Sequence, residues 1–309
     1  MRVIFMGTPD FAVNTLEEIV KAGHEVIGVY TQPDRQKGRG KEISMSPVKQ
    51  KALEYGLSIY QPEKVRKPEI IEQIKALQPE VIVVVAFGQI LPKEILECPK
   101  YGCVNVHASL LPKYRGSAPI QWAVIDGEEE SGVTTMQMDE GIDTGDILLI
   151  EKYRLAPDET GGSLFDKLAV LGAKLLIKTL DGLLAGSITP VKQQGESSYA
   201  GKLEKSTGKI DFTMSATEIE RLVRGLNPWP SAYTTLEGKT LKIWKAAVVE
   251  NDCDNSNPGT VYRVDKHNIY VSTKEGGLRI DELQLEGKKR MDTEAFLRGF
   301  NVKQGTVLG

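Results

Sequence analysis

Met1-Arg-Val-Ile-Phe-Met-Gly-Thr-Pro-Asp10 runs into Phe11-Ala-Val-Asn-Thr-Leu-Glu-Glu-Ile-Val20 and then Lys21-Ala-Gly-His-Glu-Val-Ile-Gly-Val-Tyr30. Val3 to Met6 is a short apolar run, and Gly7-Thr8-Pro9-Asp10 turns the chain. Phe11, Leu16, Ile19 and Val20 fall at helical spacing as far as Gly23, and Glu25 to Tyr30 reads as a second strand. Strand, helix and strand in that order open an α/β fold with a doubly wound, mostly parallel, Rossmann-like sheet. A dinucleotide site is the obvious use of such an opening. It reads weakly here, because the turn has one glycine where the fingerprint needs three, and the second strand does not end directly in an acid for a ribose.

The alternation continues downstream. Val65 to Leu77 reads as a helix. Glu80 to Ala86 contains Val81-Ile-Val-Val-Val85, apolar on both faces, as a strand buried in a parallel sheet should be. Phe87 to Pro92 forms a loop, and a short helix precedes a strand at Cys103 to His107. Ala118 to Ile125 reads as a helix, Gly132 to Met138 and Ile147 to Tyr153 as strands, and Leu164 to Leu184 as a long helix closing the domain. The composition turns polar near Thr189. Residues 190–208 read as a linker between a catalytic domain over 1–189 and a smaller domain over 209–309. The second domain shows short strand patterns at Lys209 to Phe212, Ser231 to Thr235, Leu241 to Val249, Gly259 to Val264, Asn268 to Val271 and Gly277 to Gln284. One helix, Ala216 to Leu226, interrupts them, and the spacing suggests a small β-barrel.

Composition narrows the function. A formal charge of −3 predicts no bulk attraction to nucleic acid, so any RNA contact must come from a local basic patch. Three cysteines cannot all be paired, and three scattered histidines give no metal-ligand spacing; a reducing, cytoplasmic setting and no metal are expected. No apolar run approaches a membrane span, and the first residues are too short an apolar run for a signal peptide. One segment does concentrate charge. Asp34 to Lys49 carries Arg35, Lys37, Arg39, Lys41 and Lys49 against Asp34 and Glu42, with two glycines and no periodicity. This reads as a mobile surface loop, either a solvated charge run or an arm that contacts phosphates, and the residues alone leave both open.

Chemistry concentrates in Cys103-Val-Asn-Val-His-Ala-Ser-Leu-Leu-Pro-Lys-Tyr-Arg-Gly116. Alternation along the strand points Asn105 and His107 the same way, and the pattern breaks into a loop at Ala108. Asp143 stands in an acidic, glycine-punctuated turn downstream. An imidazole can take and return a proton near neutrality, a carboxylate can orient it, and a carboxamide N–H can donate to an oxygen that becomes negative. Together they are the parts for direct acyl transfer to an amine. Ser109 lacks the Gly-x-Ser-x-Gly elbow of a covalent hydrolase. Cys103 shares the parity of Asn105 and His107; it either flanks the site or serves as a small buried hydrophobe, with the second preferred.

Asn105 to Pro112 with Lys113 to Gly116, and Gly132 to Asp139 with Ile142 to Asp146, resemble the two signature blocks of the folate-dependent formyltransferase family. Gly7 to Ala12, the basic loop, Ser117 to Gln121 and Asn227-Pro-Trp-Pro230 resemble the branch that acts on aminoacylated tRNA, and the likeness runs over nearly the whole chain. The resemblance implies transfer of a formyl group from 10-formyltetrahydrofolate to the α-amine of methionine on initiator methionyl-tRNA. It implies His107 as acid and base, Asn105 as oxyanion stabiliser and Asp143 as the group that orients and charges His107. It assigns Ser109, Leu110, Leu111 and Pro112 to the tetrahydrofolate-binding segment, with Phe87 to Leu91 and Met138 to Asp143 walling the pterin pocket. Arg35, Lys37, Arg39 and Lys41 would contact tRNA, Arg39 foremost, and an OB-like C-terminal barrel would hold the tRNA body. A cytoplasmic monomer is expected. The competing readings are a sugar or glycinamide-ribonucleotide formyltransferase, a formyltetrahydrofolate hydrolase or dehydrogenase module, and a non-catalytic RNA-binding protein. The intact Asn105, His107 and Asp143 set weighs against the last.

Overall fold

The computed structural model describes residues 1–37, 42–249 and 257–309. The chain divides into two compact units. One comprises residues 1–119, 130–154 and 165–200, and the other residues 120–129, 155–164 and 201–309.

The first unit contains β1 (Arg2–Gly7), α1 (Asp10–Lys21), β2 (Glu25–Tyr30), β3 (Arg35–Lys37), β4 (Glu42–Ser44), α2 (Pro47–Glu54) and β5 (Ile59–Tyr60). It continues with α3 (Pro68–Ala76), β6 (Val81–Val85), α4 (Lys93–Leu96), β7 (Cys103–His107) and β8 (Arg115–Gly116). Then come β9 (Glu130–Gln137), β10 (Ile147–Arg154), α6 (Gly161–Ala185) from Phe165 on, and β11 (Tyr199–Ala200), while α5 (Pro119–Ile125), between β8 and β9 in the chain, falls in the second unit after Pro119. Seven strands form one sheet in the order β10-β9-β7-β6-β1-β2-β5. The five from β5 to β7 are parallel, whereas β9 runs antiparallel to β7, and β10 antiparallel to β9. The chain builds outward from β1 through β2 and then returns to β6 on the other side of β1, which makes the β1/β6 crevice the topological switch point.

Burial explains the parallel centre. Every residue of β6 is buried, and β1 is buried after Arg2. Helix α1 turns Phe11, Leu16 and Ile19 of the expected stripe inward together with Ala12, while Val20, the fourth expected residue, is half-buried. Helix α6 approaches the sheet closely at Gly172, where a Cβ would lie 2.9 Å from Val106 Cγ1. Cys103 is fully buried and its thiol is pushed up by desolvation, so it belongs to the core rather than flanking a reactive group.

The basic segment is not the unstructured loop expected over its whole length. β3 and β4 pair antiparallel, with Arg35 opposite Ser44 and Gln36 opposite Ile43. Ser46 then caps α2, its Oγ accepting from Lys49 N at 3.1 Å, with Pro47 opening the helix. Strands of three residues are too short to show alternation in a sequence. Residues 38–41, and with them the expected RNA contacts Arg39 and Lys41, lie outside the described residues.

The second unit carries α7 (Ala216–Gly225), β12 (Ala232–Leu236), β13 (Lys239–Val249), β14 (Val261–Val264), β15 (Ile269–Ser272), β16 (Gly277–Leu285), β17 (Met291–Asp292) and α8 (Thr293–Leu297). Its antiparallel sheet has the order β12-β13-β16-β15-β14, with β17 on β16. Lys209 to Phe212, expected as a strand, makes only one bridge, Lys209 to Tyr233. Residues 305–309 span the gap between the two edge strands. Leu308 N donates to Gly259 O and Val261 N to Thr306 O, both at 2.8 Å, while Gly309 N donates to Thr235 O of β12 at 3.2 Å. The edge strands are thereby covered rather than left open. No helix among the described residues is long and apolar enough to cross a membrane.

Candidate active site

β7 lies between β6 and β9, with Asn105 opposite Val84 on one side and Met136 on the other. The loop after β9 folds back over this strand, Met138 N donating to Cys103 O at 2.8 Å. It delivers Asp143 to the same face as Asn105 and His107. Asn105 Nδ2 donates to Asp143 Oδ1 at 3.3 Å, and His107 Nδ1 lies 3.7 Å from that oxygen. The three groups singled out in the sequence therefore meet.

Backbone groups hold them. His107 is 6% exposed, and its Nε2 contacts Tyr114 O at 2.8 Å. A carbonyl oxygen only accepts, so Nε2 carries a hydrogen, and Nδ1 is the atom turned toward Asp143. Each ring nitrogen thus faces an oxygen, Tyr114 O at hydrogen-bond distance from Nε2 and Asp143 Oδ1 somewhat farther from Nδ1. Asp143 Oδ2 accepts from Gly116 N at 2.8 Å. Asp143 itself sits at φ +53°, a left-handed conformation in a turn that Asp139 closes by accepting from Gly141 N and Thr144 Oγ1. Gly145 has no room for a side chain, since a Cβ would lie 1.7 Å from Gln137 O.

The loop Ser109 to Pro112 is braced from β9. Thr134 Oγ1 donates to Ser109 O at 2.7 Å and accepts from Leu111 N at 3.2 Å, while Ser109 Oγ donates to Lys113 O at 2.6 Å. Ser109 and Leu111 are buried, and Leu110 and Pro112 are half-buried. Leu111–Pro112 is a cis peptide bond. Gly132 of β9 packs so tightly that a Cβ there would stand 2.6 Å from Leu110 Cδ2.

A cavity of about 560 Å³ opens at the switch point, lined by the turn Thr8-Pro9-Asp10, by Gln32, Pro33 and Arg35, by Ser44 to Pro47 and by Ala86 to Gly88. Its two sides are stitched together: Thr8 Oγ1 donates to Phe87 O at 3.2 Å, and Gln32 Nε2 to the same oxygen at 3.1 Å. Arg35 is exposed at its rim, whereas Lys49 is not free to meet a ligand, its Nζ lying 2.6 Å from Asp34 Oδ2 and 2.8 Å from Gln61 Oε1. Lys37 lies on β3. Among the described residues no cluster of histidine, cysteine and carboxylate side chains is arranged to hold a metal. Sequence reasoning missed Tyr114, Gly116 and Thr134. The first two act through backbone atoms that every residue shares, and Thr134 is one of several hydroxyls on a strand, so only its register opposite His107 singles it out.

The formyl transferase model matches residues 1–180, and the formyl transferase C-terminal domain model matches residues 202–301. The chain belongs to the formyl transferase family. A methionyl-tRNA formyltransferase from Lachnospira eligens is 57% identical over the full length of both chains, and one from Agathobacter rectalis is 56% identical over 99% of each. By sequence the chain stands among these enzymes, as its signature blocks led us to expect. Solved structures share the fold at lower identity. The methionyl-tRNA formyltransferase from Clostridium thermocellum has a TM-score of 0.56 at 20% identity, over 82% of this chain and 95% of that one. An N-formyltransferase from Helicobacter canadensis, in complex with folinic acid and dTDP-3-aminofucose, has a TM-score of 0.68 at 21% identity, over 91% and 98%.

Proposed function

We propose that this formyl transferase moves the formyl group of 10-formyltetrahydrofolate onto the α-amine of methionyl initiator tRNA, giving N-formylmethionyl-tRNA, in the cytoplasm and as a monomer. The observation that carries the chemistry is the meeting of Asn105, His107 and Asp143 within 3.3–3.7 Å, each held by a fixed neighbour. Asn105 has two amide hydrogens. One goes to Asp143, which leaves the other for the oxygen that turns negative as the amine adds to the formyl carbon. His107 takes the amine proton at Nδ1, and the Asp143 carboxylate stabilises the cation that results. When the carbon–nitrogen bond to the folate breaks, the same ring returns a proton to the departing nitrogen. No side chain is acylated in this scheme.

The substrates sort onto the surface by chemistry. Ser109 to Pro112 supply the folate-binding segment through the loop braced by Thr134, and the exposed Ile90 and Ile142 offer apolar surface to a pterin from the loops after β6 and β9. The switch-point cavity, rimmed by Arg35 and lined by hydroxyl and amide groups, suits the amine-bearing end of the RNA. Of the basic segment expected to contact the RNA, Arg35, Lys37, Arg39 and Lys41, the first lines this cavity. The family matches over 1–180 and 202–301 support a catalytic domain followed by a smaller one that holds the RNA. The names of the full-length relatives support the acceptor, and the folinic acid in the Helicobacter canadensis complex supports a folate donor.

A transfer assay with labelled formyl donor tests this reading by comparing methionyl initiator tRNA, elongator tRNA and a free sugar amine. Label should pass to the first alone. Equal transfer to the sugar amine would reject the acceptor.

A further inference from the structure

Residues 190–200 follow α6 and read as the first half of a polar linker, yet they belong to the same compact unit as the catalytic groups. Val191 pairs with Ile147, each donating to the other's carbonyl at 2.8–2.9 Å. From Val191 to Tyr199 every residue is exposed except Gln193, which is half-buried. Its carboxamide is fully used. Nε2 donates to Asp143 O and to Gly145 O, both at 2.8 Å, and Oε1 accepts from Arg115 Nε at 3.1 Å and Nη2 at 2.7 Å.

The two ends of this fork are informative. Asp143 carries the carboxylate of the site in a left-handed backbone conformation, and Gln193 binds its carbonyl. Arg115 lies between Tyr114, whose carbonyl meets His107 Nε2, and Gly116, whose N–H meets Asp143 Oδ2. Tyr114 is itself left-handed at φ +58°. Ser198 supports the same strand, its Oγ accepting from Tyr114 N at 2.8 Å and its carbonyl from Arg115 N at 2.9 Å. We infer that Gln193 is a positioning residue for formyl transfer, clamping the segment that carries Asp143 to the segment whose backbone holds both His107 and Asp143. Two donors and two acceptor sites in one planar group are specific to an amide. Glutamate can still pair with Arg115 but cannot donate to the two carbonyls, and asparagine is one methylene short.

The inference rests on the assignment of Asn105, His107 and Asp143, so its test includes a readout independent of turnover. Gln193→Ala and Gln193→Glu are compared with wild type by steady-state kinetics, by thermal unfolding and by NMR of the His107 Nε2–H signal. We expect kcat to fall about 10- to 100-fold in both variants, with KM for either substrate within about twofold. The unfolding midpoint should be nearly unchanged, and the Nε2–H signal should broaden or vanish as the Tyr114 contact loosens. Wild-type kcat in Gln193→Glu would overturn the inference, since Arg115 pairing alone would then suffice. Raised KM at constant kcat, an undisturbed Nε2–H signal, or loss of the folded state in either variant would overturn it as well. If wild type transfers no formyl to methionyl initiator tRNA while the NMR difference persists, the acceptor assignment fails and the clamp stands.

Discussion

At the residue scale, Asn105 and His107 were legible because strand alternation is a strong constraint: two polar groups at the same parity on an otherwise apolar strand must share a face. Their partner Asp143 was legible as a carboxylate in a glycine-punctuated turn whose chemistry suits the pair, although nothing in local spacing reports that the turn after β9 brings it to β7. What holds these groups was not legible at all. Tyr114 O, Gly116 N and the carbonyls bound by Gln193 are backbone atoms, and a sequence does not say which of them face a side chain. The site makes two predictions at this scale. Asn105→Ala should lower kcat about 10²- to 10³-fold, as removal of an oxyanion donor does, and near-normal turnover would reject that role. Thr134→Val keeps the shape of a fully buried side chain but strips Ser109 O of its donor and Leu111 N of its acceptor. It should cost about 1–3 kcal/mol in chemical denaturation and weaken folate binding; unchanged binding would detach this loop from the folate site.

Among the elements, the buried strand β6 and the helices α1, α6 and α7 stood close to where periodicity put them, because long apolar patterns leave little choice. The elements of the basic segment did not. β3, β4 and α2 arise in a segment whose sequence shows charge and glycine, and their signals are a three-residue pairing and a Ser-Pro cap. The antiparallel turn of β9 and β10 was hidden for another reason: alternation reports a strand but not its direction. The basic segment makes its own predictions. If it meets phosphates, Arg35→Ala or Arg39→Ala should weaken tRNA use and flatten its salt dependence, the slope falling by about 0.9 per lost contact on a duplex; an unchanged slope returns the segment to a solvated charge run. At its base, hydrogen bonds from Lys49 and Gln61 hold the Asp34 carboxyl below the usual carboxylate range. A lowered folded value means that the stabilisation is present above the unfolded value of about 3.9 and is lost as pH falls through the folded one. An NMR titration of Asp34 should give a midpoint below about 3.9, and Lys49→Met should raise it; coincident midpoints would show that the pair does not hold.

For the whole molecule, the formal charge of −3 makes the chain a poor general RNA binder, so recognition must be local and therefore selective. The two compact units overlap the two family matches without coinciding with them: residues 120–129 and 155–164 lie within the match over 1–180 yet belong to the second unit, and residues 190–200 of the stretch that looked like a plain linker belong to the first. Polar composition marks a segment as solvent-facing without showing that one of its side chains is bound into a site. In the second unit the C-terminal residues cover the edge strands through backbone bonds, with Leu308 buried among them. Leu308→Ala should destabilise this unit by about 2–5 kcal/mol in chemical denaturation. An effect below 0.5 kcal/mol, the scale of an ordinary surface substitution, would show that the edges close without it.

A rapid-quench single turnover with a labelled formyl donor and excess protein addresses direct capture of the formyl carbon by the amine. Label should move from folate to methionyl initiator tRNA with none on the protein at any time, and the His107→Ala variant should slow that step. Label that appears first on a side chain and then chases into the RNA would contradict the account.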